Sequence, residues 1–314
     1  MLRDKLSNTW VVILLAMVCC FLWGSAFPCI KIGYRLFAIE SGDAASQILF
    51  AGSRFTLAGV MVIVAFSVAR KRFVKPGSPK KILTLSLFQT IGQYVPFYIG
   101  LAHTTGVKSS IINGTAVFLT ILVSCLIFHQ EKLTNKKIFG SLLGFMGVVL
   151  INMSGASIDL NMKFFGEGFI LISTLSSAFS SAFIKKFSKT ADVVMLSGYQ
   201  FFFGGVIMIF FGIAMGGRLS DISANAILLL LYMAFISAAA YTIWSILLKY
   251  NDVSKVSVYK FMNPVFGVAL SYLLVSGEKF TGEKTVIALI LVCAGIYVVN
   301  MKDKSSKKMN PMIE

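Results

Sequence analysis

Ten long apolar runs constrain the fold of this chain more than any other feature of its sequence. Each approaches the roughly 20 residues that a helix needs to cross a bilayer's ~30 Å hydrocarbon layer, and polar or basic breaks separate them. Hydrophobic residues make up 57% of the chain and charged residues only 13%, so lipid is the predicted solvent for most of it. The runs occupy residues 10–34, 45–69, 82–102, 109–129, 138–153, 164–187, 193–215, 224–248, 256–275 and 285–301.

The continuity of these runs indicates helices. In lipid every backbone polar group needs an internal partner, so only helices and closed barrels span a membrane, and a barrel strand would alternate with a period of two. We therefore predict an all-α integral membrane protein with ten transmembrane helices. Twenty of the 29 Lys and Arg fall on one side of this arrangement and six on the other. The positive-inside rule then predicts cytoplasmic N- and C-termini. Basic residues in the cytoplasmic loops also account for the net charge of +16, so we predict no nucleic-acid partner.

The sequence also contains an internal repeat. Residues 131–134 read EKLT and residues 278–281, 147 positions later, read EKFT; an apolar run closing in Asn-Met follows each. Each half holds an odd number of predicted crossings, so the second half enters the membrane from the opposite side, as in inverted-repeat transporters. We predict two inverted five-helix repeats, at residues 1–155 and 156–302, followed by a basic cytoplasmic tail at residues 303–314.

Several short motifs, taken together in order and spacing, resemble one known family. They are the sequence WGSAF at 23–27 followed by Lys31, the pair Arg54-Phe55, and the two EK runs. The chain resembles the EamA family of the drug/metabolite transporter superfamily, with departures at Ser177, where a tryptophan is common, and in a longer first external loop. The resemblance implies a cell-membrane protein that moves small metabolites by secondary-active or facilitated transport. It also implies frequent export of amino acids or related compounds, by alternating access through a central cavity between the repeats.

Two basic residues lie inside the apolar runs. Lys260 is about 9 Å from the start of its run, at about 1.5 Å per helical residue, and a buried ammonium costs about 2.5–3.5 kcal/mol. It either snorkels to the cytoplasmic interface or bonds helix carbonyls, or it faces the cavity, where it binds an anionic substrate or carries a proton. Arg54 is interpreted as a structural charge, because the repeat places another polar side chain, Gln200, at the equivalent position.

The other substrate-binding candidates are polar or aromatic residues at mid-depth of the predicted helices. They are Trp23, Ser25, Gln89, Gln93, Tyr94, Asn113, Tyr241, Trp244, Tyr259 and Asn263. Pro96 and Pro264 interrupt helices and are candidate hinges or static kinks. Glu131 and Glu278 are predicted to cap helix ends or brace loops.

Other functions find less support in the sequence. No acidic residue lies deep in a predicted helix, which disfavours proton coupling through a buried carboxylate. His103 and His129 are isolated, so no metal site or cofactor is predicted. A carrier of phosphorylated or nucleotide-linked metabolites stays open, since Lys260 and Arg54 both suit phosphate. An intramembrane enzyme or a sensory protein is the alternative of another class. Glycines at 140, 144 and 147 indicate close helix packing, within the chain or in a homodimer.

Overall fold

The computed structural model describes residues 2–104, 106–152, 162–274 and 282–301. Within these ranges the chain is helical and has no β-strand. Glu278, the predicted repeat boundary at 155/156 and the predicted tail at 303–314 lie outside the described residues.

After a short helix, Leu2–Ser7, the helical segments are labelled α1 (Thr9–Leu36), α2 (Ala44–Ala69), α3 (Pro79–Leu85, Ser86–Ile91 and Gly92–Ala102), α4 (Gly106–Gly114, Ala116–Leu122 and Val123–Ile127), α5 (Asn135–Asn152), α6 (Phe164–Gly168 and Phe169–Phe187), α7 (Val193–Ala214), α8 (Ala224–Tyr250), α9 (Val253–Ser257, Val258–Phe261 and Met262–Leu274) and α10 (Gly282–Asn300).

A helical segment occupies each of the ten apolar runs, with bounds that differ by a few residues from those predicted. Six helices of the described ranges are long and apolar enough to cross a membrane by length and composition. They are Thr9–Leu36, Ala44–Ala69, Lys108–Ile127, Phe164–Phe187, Val193–Ala214 and Ala224–Tyr250. Side chains on their outer faces are large, apolar and exposed, as on Phe210 and Leu228, which suits contact with lipid rather than water.

Side-chain caps fix where several helices begin. The side chain of Asn8 accepts a hydrogen bond of 3.0 Å from the amide of Trp10 at the start of α1. Asp192 accepts bonds of 2.9 and 3.3 Å from the amides of Val194 and Met195 at the start of α7. These bonds satisfy amides that have no partner inside the helix, so each helix can start where its apolar run starts.

Glycines bring α2 and α7 into backbone contact. A Cβ added at Gly52 would lie 2.7 Å from the backbone nitrogen of Ile209 and 2.9 Å from the carbonyl oxygen of Gly205. These neighbours are main-chain atoms that no rotamer change can move. The two helices therefore form a closely packed pair, and a side chain at Gly52 would force them apart.

Two glycines of α5, Gly140 and Gly147, face α10, whereas Gly144 faces the ring of Phe261. A Cβ at Gly140 would lie 2.8 Å from the carbonyl oxygen of Gly295, and one at Gly147 would lie 2.7 Å from that of Ala288. This confirms close packing, and it occurs within the chain. A homodimer remains a prediction that these glycines no longer support.

The remaining helices surround an internal space. Helix α1 packs against α8 and α9, and α6 packs against α3 and α4. Irregular turns interrupt the walls of this space, with a π-helical turn at Ser86–Ile91 and a 3₁₀ turn at Val258–Phe261. The helix continues through both Pro96 and Pro264. Each proline lacks the N–H that would bond to the carbonyl four residues earlier, which for Pro264 is the carbonyl of Lys260.

A buried charge cluster lies where α4 ends and α9 begins. The Glu131 carboxylate accepts hydrogen bonds from Lys137 Nζ at 2.7 Å, from Ser124 Oγ at 2.9 Å and from the backbone N of Ser254 at 2.9 Å, with a further bond from Ser254 Oγ. The side chains of Glu131 and Lys137 are 6% and 10% exposed. Glu131 thus holds the start of α9 against the α4–α5 connection.

Candidate functional site

A cavity of about 180 Å³ lies inside the helix bundle. Helices α1 to α6, α8 and α9 all contribute to its wall, and an extensive apolar cluster that includes Val117, Ile184 and Phe261 lines part of it. Nine of the eleven binding residues that were predicted from the sequence line this cavity. They are Trp23, Gln89, Gln93, Tyr94, Asn113, Tyr241, Trp244, Lys260 and Asn263.

Lys260 lies in the 3₁₀ turn of α9 and lines the cavity. Its Nζ is 5.5 Å from the centroid of the Trp244 ring, a distance at which an aromatic face attracts a cation. Among the described residues no Asp or Glu forms an ion pair with it. The ammonium therefore has a partial partner in the indole and remains available to an anion.

Arg54 also lines the cavity, although the sequence suggested a structural role for it. The residue is only 4% exposed, and its guanidinium carbon lies 4.5 Å from the centroid of the Phe55 ring and 5.8 Å from that of Tyr94. Its Nε has no hydrogen-bond partner. Gln200, its predicted repeat mate, instead accepts a 2.6 Å bond from Thr90 away from the cavity wall.

Four rings form a continuous surface that we call the aromatic wall: Tyr94, Tyr241, Trp23 and Trp244. The hydroxyls of Tyr94 and Tyr241 are hydrogen-bonded to each other. The Trp23 ring lies edge-on to Tyr241 and to Trp244, at centroid distances of 5.1 and 5.0 Å. This wall joins the surroundings of Arg54 to those of Lys260 and offers π-faces to an apolar or planar part of a ligand.

Several buried polar atoms of cavity residues lack a partner. The acceptors are Gln89 Oε1 and Asn263 Oδ1, and the donors are the indole nitrogens of Trp23 and Trp244 together with Arg54 Nε. An unpaired buried polar atom costs about 1–3 kcal/mol, so a native chain rarely keeps five around one space without water or a ligand to satisfy them.

Two predicted binding residues lie elsewhere. Ser25 is buried, donates a 2.8 Å bond to the carbonyl of Leu22 and lies 3.2 Å from the hydroxyl of Tyr232. Tyr259 is buried in the apolar cluster. Of the two prolines, Pro264 lines the cavity and Pro96 does not.

The structure adds a set of serines that the sequence reasoning missed. Ser173, Ser177, Ser180 and Ser181 of α6 all line the cavity. Ser177 lies four residues after Ser173 and three and four residues before Ser180 and Ser181, which is the spacing of one helical face and was present in the sequence. The described ranges hold no group of three or more His, Cys, Asp or Glu placed to bind a metal ion.

The helices enclose a cavity that is lined by apolar residues and by several polar and charged ones, an arrangement typical of membrane transport proteins. The chain belongs to the EamA-like transporter family, whose model matches residues 10–153 and again residues 164–301. It is therefore a multi-pass membrane protein and a transporter of small molecules.

Relatives come from several branches of life. An uncharacterised transporter of Archaeoglobus fulgidus is 26% identical over 93% of this chain and 99% of its own length. A WAT1-related chloroplastic protein of Arabidopsis thaliana is 26% identical over 90% of this chain and 68% of its own length. The S-adenosylmethionine/S-adenosylhomocysteine transporter of Chlamydia muridarum is 24% identical over 66% of each chain. A solved crystal structure shares the fold, with a TM-score of 0.78 and 16% identity over 93% of this chain and 97% of the other.

Proposed function

We propose that this protein exports small carboxylate-bearing metabolites, amino acids or related compounds, by secondary-active or facilitated transport. One observation carries the proposal: Lys260 is a cation on the wall of an internal cavity, without an acidic partner among the described residues. A carboxylate bound there would form a charge-assisted hydrogen bond. The unpaired oxygens of Gln89 and Asn263 suit the ammonium of an amino acid.

Alternating access between two inverted five-helix repeats is the proposed mechanism, with ten membrane crossings and both termini in the cytoplasm of a cell-membrane protein. Three observations support it. The family model matches the chain twice. Exchange of α1–α5 with α6–α10 maps the α1–α8 contact onto α6–α3 and the α1–α9 contact onto α6–α4. Twenty of the 29 Lys and Arg lie on one side of the predicted arrangement, which the positive-inside rule makes the cytoplasmic side.

Counterflow in proteoliposomes tests the proposal. Vesicles loaded with one compound of an amino-acid and metabolite panel are diluted into its radiolabelled form, for the wild type, Lys260→Ala and Lys255→Ala. Lys255 is the matched control, because it is an exposed lysine of the same helix paired with Asp252. A charged hydrogen bond contributes about 1.5–3 kcal/mol, so we expect Lys260→Ala to weaken uptake by about tenfold or more and Lys255→Ala to match the wild type.

The two parts of the proposal fail separately. If the wild type exchanges no compound of the panel, the transport function is wrong. If exchange occurs and Lys260→Ala leaves its KM and rate unchanged, transport stands and the binding role of Lys260 is wrong.

A carrier of phosphorylated or nucleotide-linked metabolites is the second candidate. Two cations, Lys260 and Arg54, line the cavity, and the aromatic wall can stack on a purine. The relative named as an S-adenosylmethionine/S-adenosylhomocysteine transporter supports a nucleoside-linked amino acid as cargo. Sugar phosphates and S-adenosylhomocysteine therefore belong in the panel, and exchange of these without simple amino acids would favour this candidate.

A further inference from the structure

An open groove lies between the ends of α4 and α6, and we call it the basic groove. Its volume is about 440 Å³, and among the described residues it has none in common with the central cavity. Both helices end on the side proposed as cytoplasmic, so the groove lies where the inner leaflet meets the cytoplasm. Its wall consists of Ile127, Phe128, Gln130, Phe183, Lys186 and Lys189.

Hydrogen bonds hold the end of α4 against α6. The last turn of α4, Val123–Ile127, is π-helical, and His129 follows it with a φ of 49°. Gln130 then turns towards α6, where its Nε2 donates a 2.8 Å bond to the carbonyl of Ala182. Its Oε1 accepts a 3.2 Å bond from Ser124 of α4. One side chain therefore joins the two helix ends and fixes the shape of the groove.

Aromatic rings make part of the groove apolar. The ring centroid of Phe128 lies 5.0 Å from that of Phe183 and 6.2 Å from that of Phe179. The ring of Phe88, from α3, lies 5.2 and 5.5 Å from the same two rings. Four rings thus form one apolar cluster beside the lysines, and such a surface is suited to a hydrocarbon chain.

An apolar stripe on α6 leads to the basic groove. Its residues recur at intervals of three or four, which places them on one helical face. They are Ile172, Leu175, Phe179 and Phe183, and Lys186 continues the series. Ile172 and Leu175 are 42% and 40% exposed, as expected for side chains that contact lipid. The stripe therefore runs from a lipid-facing surface to a cation, in the order of the acyl chain and head group of a phospholipid.

Lys186 and Lys189 are exposed and have no acidic partner in the described part of the chain. The Nζ of Lys186 lies 5.7 Å from the centroid of the Phe128 ring. Glu131 and Asp192 are the carboxylates nearest to the groove in the sequence, and each pairs with another cation. The two ammonium groups are therefore available to an anion, and they complement the charge of an acidic head group.

We propose that the basic groove binds an anionic phospholipid of the inner leaflet. The lipid phosphate accepts hydrogen bonds from Lys186 and Lys189, and an acyl chain lies along the ring cluster and the apolar stripe. Basic pockets between transmembrane helices on the cytoplasmic side recognise acidic head groups in this way. A soluble phosphate would satisfy the lysines and leave the apolar part of the groove uncovered, so the chemistry favours a lipid.

Native mass spectrometry of the purified full-length chain in detergent tests this proposal. The protein is titrated with phosphatidylglycerol and, separately, with phosphatidylcholine of the same acyl chains, and each series gives an apparent Kd for the first bound lipid. The test variant is Lys186→Gln/Lys189→Gln. Its matched control is Lys71→Gln/Lys75→Gln, which removes two exposed lysines from another connection on the same side and has the same net charge.

We expect the wild type to bind phosphatidylglycerol about tenfold or more tightly than phosphatidylcholine, because each lysine near an anionic lipid contributes about fivefold. Lys186→Gln/Lys189→Gln should bring the two Kd values within about twofold of each other, and the control should keep the preference. Lys186→Arg/Lys189→Arg retains both charges and should keep it too.

Equal binding of the two lipids by the wild type overturns the inference. So does a preference that survives Lys186→Gln/Lys189→Gln, or one that the control loses to the same extent. If Lys186→Gln/Lys189→Gln does not fold, the wild type and the arginine variant decide, and loss of the preference in the arginine variant overturns the inference.

A competition arm identifies the source of the phosphate. Glycerol 3-phosphate, added at the concentration of the lipid, has the charged group without acyl chains and should displace little phosphatidylglycerol. Full displacement would assign the groove to a soluble phosphate and overturn the lipid assignment. Lipid binding is measured without any transported compound, so the outcome is independent of the counterflow result for Lys260.

Discussion

Replacement of Glu131 by alanine should be among the most destabilising single changes outside the helix cores. The substitution leaves the Lys137 ammonium, 10% exposed, without its carboxylate and leaves Ser254 without an acceptor. Loss of one partner from a buried ion pair costs about 3–5 kcal/mol. Lys137 keeps a 2.6 Å bond to the carbonyl of Lys132, so we expect the lower end, about 3 kcal/mol. At about 2 °C per kcal/mol for a large chain, Tm should fall by about 6 °C.

Thermal unfolding in one detergent, followed by intrinsic fluorescence, measures this shift. The control is Lys255→Gln, which breaks an exposed pair with Asp252 that is expected to contribute under about 1 kcal/mol. The double variant Glu131→Gln/Lys137→Gln removes both charges and should lose less stability than Glu131→Ala. A Glu131→Ala protein that melts within about 2 °C of the wild type would refute the reasoning, and so would a double variant less stable than Glu131→Ala.

Two further predictions concern helix contacts. Gly52→Ala should lower Tm by several degrees, because the new Cβ meets the backbone of Ile209 at 2.7 Å and overpacking costs about 1–3 kcal/mol. The control variant Gly77→Ala has open space around the new Cβ and should melt like the wild type. Equal Tm values for the two variants would contradict the close helix contact. Thr90→Val removes the 2.6 Å bond to Gln200 and should cost about 1–3 kcal/mol in the same melts, whereas an unchanged Tm would show that this buried bond is not needed.

The sequence was sufficient to predict the helices, because the length and hydrophobicity of a single run of residues are enough to recognise a membrane-spanning helix. A run of about 20 apolar residues has few alternatives in lipid, and the observed segments follow the predicted runs closely. Gln89 and Gln93 are four residues apart, a spacing that puts two residues on one helical face, and both line the cavity.

Helix rotation explains where the site prediction and the structure differ. Trp23 and Ser25 are two residues apart, about 200° around a helix at about 3.6 residues per turn, so both cannot face the same cavity. Tyr259 directly precedes Lys260 and turns to the apolar cluster for the same reason. The position of Arg54 on the cavity wall could not be predicted from the sequence. It depends on how α2 is rotated against α3, and the spacing of residues along the chain does not give that rotation.

The glycine contact between α2 and α7 has a consequence for how such a protein can change over generations. Main-chain atoms meet there directly, as at Gly52 and Ile209, so a larger residue at one of the contact glycines would clash with the backbone of the other helix. The residues of the cavity wall are less restricted in size, because their side chains face the cavity and not the backbone of another helix. We therefore expect the α2–α7 contact to stay unchanged among related transporters. Single substitutions in the cavity lining can meanwhile change which substrates bind.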